Sequence, residues 1–287
     1  MALARCALLY AMALLGSAQL CAATTLEVRY SPDIGDYALG LLELGLSKSD
    51  VPYELIPADG GITQARNIAL LKSGDLTVGW FGTSRELEAT LLPVRLPLMR
   101  GLLGHRICII AKGTQDRFSP IRTLEDFRKK LIGQGADWPD VRILEGAGFT
   151  VKTAPYSSLF GMAAAERFDC FLRGVTEAHA EVVNRSEGSE LAVERDLMIV
   201  YPYAALFFVS PKRPEAAAAI EQGLRAAYND DSFMAYFNTH PTIRDVFSNV
   251  QLDTRRRFEL PNPNMSAETL AIDDRFWHDG NETEAAY

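Results

Sequence analysis

The sequence predicts an α/β protein built as two units, each a mainly parallel sheet flanked by helices. Three observations carry this. Alternating strand and helix patterns run from Leu26 to Phe81, and the alternation restarts after Lys112–Gly113. The 287 residues, 48% of them hydrophobic, suffice for about two domains of ordinary size.

The elements follow in order. Leu26–Tyr30 alternates Leu, Val and Tyr with Glu and Arg, the period of a half-buried strand. Ser31–Pro32 and Gly35 end it. Tyr37–Ser47 puts Leu39, Leu42 and Leu46 on one helical face. Tyr53–Ile56 reads as a strand and Asp59–Gly60–Gly61 as a turn. An amphipathic helix runs from Thr63 to Lys72 and stops at Gly74, and Leu76–Phe81 is the next strand. Strand–helix–strand repeats imply parallel pairing by crossovers. Such sheets bind ligands at the carboxyl ends of their strands, which points to the loops Ser31–Asp36, Ala58–Thr63 and Gly82–Glu86.

Arg106–Ala111 is a further strand. Thr123, followed by Glu125 and Asp126, caps a helix to Lys130. Strands at Leu131–Gly133, Val151–Thr153 and Phe168–Leu172 alternate with helices at Val141–Ala147 and Ser157–Ala165, and another helix opens at Glu177–Asn184. Leu197–Val200 and Ala204–Val209 are strands, and Glu215–Tyr228 and Ser232–Thr239 are helices. The tail from Gln251, rich in Pro, Asn and acidic residues, is expected to wrap as loops.

Residues 1–23 read as a secretory signal peptide. Arg5 supplies the positive start, Cys6–Leu15 the apolar run, and Cys21–Ala22–Ala23 the small residues of a cleavage site. The alternative makes Cys21 a lipid-anchored N-terminus, with Leu20 unfavourably placed before it. Removing Arg5 leaves 28 Lys+Arg against 37 Asp+Glu, a net charge of −9 instead of −8. No basic stripe exists, so nucleic acid is not an expected partner. Two cysteines remain, Cys108 and Cys170, each in an apolar run. They are expected to be buried free thiols, because their strands read as belonging to different units.

The order of these elements resembles the family-3 extracellular solute-binding proteins, which have the type II periplasmic binding-protein fold. The resemblance rests on the unit Ala69–Val78 (ALLKSGDLTV), the loop Gly82–Glu86 (GTSRE) and the strand His105–Lys112. Ile121–Phe127 (IRTLEDF) and Glu166–Phe171 (ERFDCF) complete it. It covers the chain to about Thr239. It implies one lobe from 24–111 plus 203–287 and a second from 112–202, joined by a two-crossing hinge that closes on a ligand. It also implies a monomeric, periplasmic binder of a small polar solute that delivers it to a membrane ABC importer. The same fold serves ligand-sensing or accessory modules without a transporter.

Arg85 is the first candidate for a ligand contact. In amino-acid-binding relatives a Thr and an Arg in this loop hold the ligand carboxylate, and a guanidinium suits a two-pronged grip. Here Thr83, Ser84 and Arg85 sit one residue closer than the family spacing. The alternative is a surface pair with Glu86 or Glu88. Arg173 ends a strand before Gly174, where relatives place an amine-binding Asp. That Asp is missing, Glu177 is the available substitute, and Arg173 favours a ligand with a second anionic or carbonyl group. Its alternative is an ion pair with a neighbouring Glu.

The loop Gly133–Pro139 adds Trp138 as a stacking surface, and Asp137 as either a hydrogen-bond acceptor or a helix N-cap. Tyr30, Asp36, Tyr37, Trp80 and Tyr203 lie at strand ends or crossings, as pocket walls or as core. No metal-ligand spacing appears among His105, His179, His240 and His278, and no nucleophile elbow or phosphate-cradling loop occurs. No cofactor is implied and no catalytic set can be nominated, so a binding protein is expected rather than an enzyme.

Overall fold

Two mixed β-sheets, each flanked by helices, organise the chain in a computed structural model that describes residues 24–59, 63–136 and 138–278. Residues 1–23, expected to be a signal peptide and including Cys21, lie outside the described residues, as do the glycines of the 59–61 turn and Asp137.

The chain opens with β1 (Leu26–Tyr30), α1 (Asp36–Ser47), β2 (Tyr53–Pro57), α2 (Gln64–Ser73), β3 (Val78–Gly82), α3 (Arg85–Thr90) and β4 (Leu92–Val94). It continues with β5 (His105–Ala111), α4 (Leu124–Arg128), β6 (Leu131–Gly135), α5 (Pro139–Gly146), β7 (Thr150–Ala154), α6 (Tyr156–Ala164), β8 (Cys170–Gly174), α7 (Ala178–Asn184), β9 (Leu191–Val193) and β10 (Leu197–Val200). The last part holds β11 (Ala205–Val209), α8 (Pro214–Asn229), α9 (Ser232–Thr239), α10 (Pro241–Val250), β12 (Arg256–Glu259) and α11 (Ala267–Leu270).

Local chemistry sets the helix ends. The Thr63 hydroxyl accepts from the Arg66 amide at 3.4 Å at the start of α2, and Gly74 closes that helix in the left-handed region at φ 86°. Thr123 caps α4 by accepting from the Asp126 amide at 3.1 Å.

The first sheet runs β2-β1-β3-β11-β4, with β1 parallel to β2 and β3, and β11 antiparallel to β3 and β4. The second runs β12-β10-β5-β8-β6-β7, with β9 also on β5. Its parallel pairs are β6 with β7 and β8, and β10 with β12; β5 is antiparallel to β8, β9 and β10.

Two expectations change here. The tail after Gln251 is not all loop, because β12 adds an edge strand to the second sheet and α11 follows. The cysteines are not free thiols. Cys108 on β5 and Cys170 on β8 sit on adjacent strands, Cα atoms 5.2 Å apart, and form a disulfide across 62 residues of sequence. The physical reason is that His105–Ala111, taken as a strand at the lobe boundary, lies inside the second sheet.

An apolar cluster packs α1, α8 and α9 on the first sheet through Val28, Val78, Phe207 and Val209, and continues through Leu98, Leu102 and Ile107 to Phe160 and Phe171 of the second. Where α1 and α8 cross, a Cβ on Gly223 would lie 1.6 Å from the Gly45 carbonyl oxygen, so only glycine permits that approach. The other face of the second sheet buries Phe118, Phe127, Leu144, Phe258 and the disulfide. Among the described residues no helix is long and apolar enough to cross a membrane.

Candidate functional site

The chain passes from the first sheet to the second between β4 and β5, back between β10 and β11, and to the second again between β11 and β12, one passage more than the expected two-crossing hinge. The first two passages touch. The Tyr201 amide donates to the Gly104 carbonyl at 3.1 Å, and a Cβ at Gly104 would stand 1.9 Å from the Tyr201 carbonyl oxygen. Immediately beyond lies a cavity of about 570 Å³ between the sheets. One wall is α2, the loop Gly82–Ser84 and Glu86–Leu87; the other is Leu103, Arg106, Trp138–Asp140, Arg173 and Glu177, with Tyr203 at the passage. Its volume suits a small molecule.

Arg106 begins the cavity floor. It heads the apolar run of β5 and is 5% exposed. Its guanidinium stands 3.0 Å from Asp140 and 3.8 Å from Glu177, and lies over the rings of Tyr201 and Tyr203 at 5.7 and 5.9 Å. The Tyr201 hydroxyl donates to the same Asp140 oxygen. Burial alone would lower the Arg106 pKa; the fields of Asp140, Tyr201 and Glu177 outweigh it, and the group stays charged. Burial, then Asp140, pushes the Tyr203 phenol up to about 12, so it remains a neutral donor.

Arg173 lines the same cavity and is 7% exposed. It grips Glu181 with two hydrogen bonds of 2.7 Å and meets Glu177 at 3.1 Å. Its guanidinium covers the Trp138 ring at 4.6 Å. Burial works against its charge, but its hydrogen bonding to Glu181 and the fields of both glutamates raise the pKa overall. Glu177 also accepts from the Gly174 amide at 3.1 Å, at the position where the amine-binding Asp of relatives was expected.

The structure thus brings together Thr83, Ser84, Trp138, Arg173, Glu177 and Tyr203. Thr83 is buried and donates to Glu88 at 2.6 Å, and Ser84 caps α3 by accepting from the Leu87 amide at 3.2 Å. Trp138 is the N-cap residue of α5, with Pro139 in its first turn.

Arg85 points elsewhere. It lines an adjoining cavity of about 680 Å³ with Ala136, Arg142, Pro263 and Asn264. Its Nε donates to the Met265 carbonyl at 2.9 Å and its amide to the Asn264 carbonyl at 3.0 Å. Tyr37 is core: its hydroxyl donates to the Leu98 carbonyl at 2.6 Å, and its ring meets Trp80 and, edge-on, His240. Trp80 packs against the same cluster, and Tyr30 and Asp36 are half-buried and exposed respectively, none of the three lining the cavity.

Arg106 and Asp140 were missed. Arg106 carried a usable signal, a charge placed directly before five buried apolar residues of a central strand. Asp140 follows Pro139 at a helix start and read as a first-turn acid like any other. Among the described residues no group of acidic, His and Cys side chains could hold a metal ion.

No family model and no curated protein matches this chain. Solved structures do. The probable amino-acid ABC transporter extracellular-binding protein ytmK from Bacillus subtilis is similar over 74% of this chain and 95% of its own, at 13% identity and TM-score 0.55. The periplasmic VFT2 domain of Bordetella pertussis BvgS is similar over 74% and 92%, at 15% identity and TM-score 0.53. A chain from the structural study of glutathione import via GshT and the cystine ABC importer TcyBC of Streptococcus mutans is similar over 77% and 99%, at 11% identity and TM-score 0.52. At these identities the likeness establishes the fold, that of the two-lobed periplasmic binding proteins.

Proposed function

We propose that the protein is an exported solute-binding protein that closes two lobes over a small, polar, carboxylate-bearing solute and passes it to a membrane importer. One observation carries this: the cavity of about 570 Å³ draws its walls from both sheets, lies against the first two passages between them, and holds two buried arginines. Relative rotation of the sheets opens or shuts such a site, which is how a clamp gains affinity and releases its load. The similarity to a probable amino-acid transporter binding protein fits this role.

In this proposal the lobes follow the sheets. The division expected from the sequence, 24–111 with 203–287 against 112–202, shifts its first edge back to the start of β5 and gives β12 to the second lobe. Residues 1–23 are the export signal, and the protein works as a monomer without cofactor or reaction.

A thermal-shift screen with amino acids, dicarboxylates, polyamines and small sugars tests the reading, followed by solution scattering with any hit. A true ligand stabilises the protein and reduces its radius of gyration. A hit that binds without compaction counts against the clamp. Turnover of a bound compound would make the protein an enzyme on this scaffold.

A further inference from the structure

Glu177 stands apart from the other charged groups of the cleft. The side chains of Arg106, Arg173 and Asp140 are 6%, 8% and 6% exposed, whereas that of Glu177 is 37% exposed. One oxygen of this carboxylate, Oε2, faces both guanidiniums, at 3.8 Å from Arg106 and 3.1 Å from Arg173, and accepts from the Gly174 amide at 3.1 Å. Two guanidiniums and a backbone amide converging on one oxygen are the donor set of a carboxylate site. Arg106 contributes a further donor, because its Nε is buried among the described residues without a hydrogen-bond partner.

We infer that Glu177 is a built-in occupant of an anion seat between Arg106 and Arg173, and that a solute carboxylate binds by displacing it. This rests on the clamp reading above. Charge makes the exchange necessary. Arg106 and Arg173 face Asp140, Glu177 and Glu181, two positive against three negative groups. A ligand carboxylate added to that set faces repulsion; one that replaces Glu177 leaves the balance as it was. Geometry makes it feasible. With Glu177 swung out, Arg106 keeps Asp140 and Arg173 keeps its two bonds to Glu181, so neither arginine moves or loses its counter-ion. Glu177 sits just before α7 and its side chain is already 37% exposed. The device selects for anions able to outcompete an intramolecular carboxylate, which favours a solute with a second polar group to bind elsewhere in the cavity.

The test is calorimetric titration of the purified protein with acetate, succinate and inorganic phosphate, comparing the natural chain with Glu177→Gln. Glu177→Gln keeps the size and a hydrogen-bond acceptor for the Gly174 amide. It is expected to bind succinate about tenfold more tightly or better, the change that about 1.4 kcal/mol produces. The gain shrinks as salt is raised and disappears when Arg173→Gln is added. Unchanged or weaker binding in Glu177→Gln overturns the inference, as does the failure of this variant to bind any of the three anions at millimolar concentration. The clamp reading fails separately. Succinate binding by Glu177→Gln without compaction retains the seat and removes the clamp. Compaction on a sugar or polyamine, unaffected by the substitution, retains the clamp and removes the seat.

Discussion

Reduction of the Cys108–Cys170 bond is expected to cost the protein about 4 kcal/mol. The bond closes a loop of 62 residues. In the chain-entropy treatment a loop of that size removes about 14 cal/mol/K from the unfolded ensemble, which is about 4 kcal/mol at room temperature. The cysteines are 1% and 0% exposed, so reductant reaches them only when β5 and β8 part, and the native protein resists mild reduction. The assay is equilibrium urea unfolding with and without dithiothreitol. With a slope of about 2 to 3 kcal/mol per molar urea, the midpoint falls by about 1.5 M in the reduced protein. A Cys108→Ala/Cys170→Ala variant shows a comparable loss without reductant and no further change with it. A reductant-induced loss below about 1 kcal/mol, or two thiols per chain found by alkylating the unfolded, unreduced protein after export, would refute the argument.

Three further outcomes are expected. Arg106→Met leaves Asp140 buried without its counter-ion and costs about 3 to 5 kcal/mol, of which the double variant Arg106→Met/Asp140→Leu restores most; thermal unfolding reads both. Gly223→Val drives a side chain into the Gly45 carbonyl and lowers the melting temperature far more than Gly146→Ala, where added atoms meet open space. Burial depresses His105 from 6.5 to about 4, so below pH 6.5 the unfolded chain binds a proton that the folded one refuses. Its neutral state therefore favours folding above pH 6.5, and that advantage is lost as pH falls towards 4, by up to about 3 kcal/mol. Urea midpoints of the natural protein and His105→Gln, measured across that range, should diverge from each other; parallel curves would exclude the effect.

The first half of the chain was legible because its periods are clean. The alternation of Leu26–Tyr30 became β1, and the Leu39, Leu42, Leu46 face became α1 with nearly the expected ends. Helix α10 escaped although Pro241 begins it and Ile243, Val246 and Val250 repeat at helical spacing. It lies between the expected helix Ser232–Thr239 and the tail from Gln251, a stretch given no element, whereas the tail itself was judged on its Pro, Asn and acidic content. β12 has only Phe258 buried, so it lacked an alternation strong enough to see, and its pairing with β10 is decided by tertiary contact.

At the site, the loop after β3 was legible as a place but not as a direction. Which way Arg85 turns depends on residues 264 and 265, which are remote in sequence. Arg173 was found because it ends a strand, and Glu181, its two-pronged partner, lies one turn beyond Glu177 and gave no sign of facing back. The disulfide was set aside because strand order within a sheet is not written in local periodicity.

The tail that docks on Arg85 has a mechanical meaning. Leaving β12 on the second sheet, the chain reaches Asn264, whose side chain donates to the Pro139 carbonyl of α5 at 3.4 Å while its own carbonyl takes the Arg85 amide. Ser266 and Thr269 then donate to Glu88 of α3, at 2.6 and 2.8 Å. This segment is a tie-rod between α5, beside the second sheet, and α3, beside the first. In the proposed clamp an opening rotation has to lengthen that rod or unhook it. On that reading the empty protein rests near shut, and its gape is limited by a piece of its own backbone. In that clamp solute exchange runs at the pace of unhooking, so that removing the Ser266 and Thr269 hydroxyls, which do not line the cavity, hastens release.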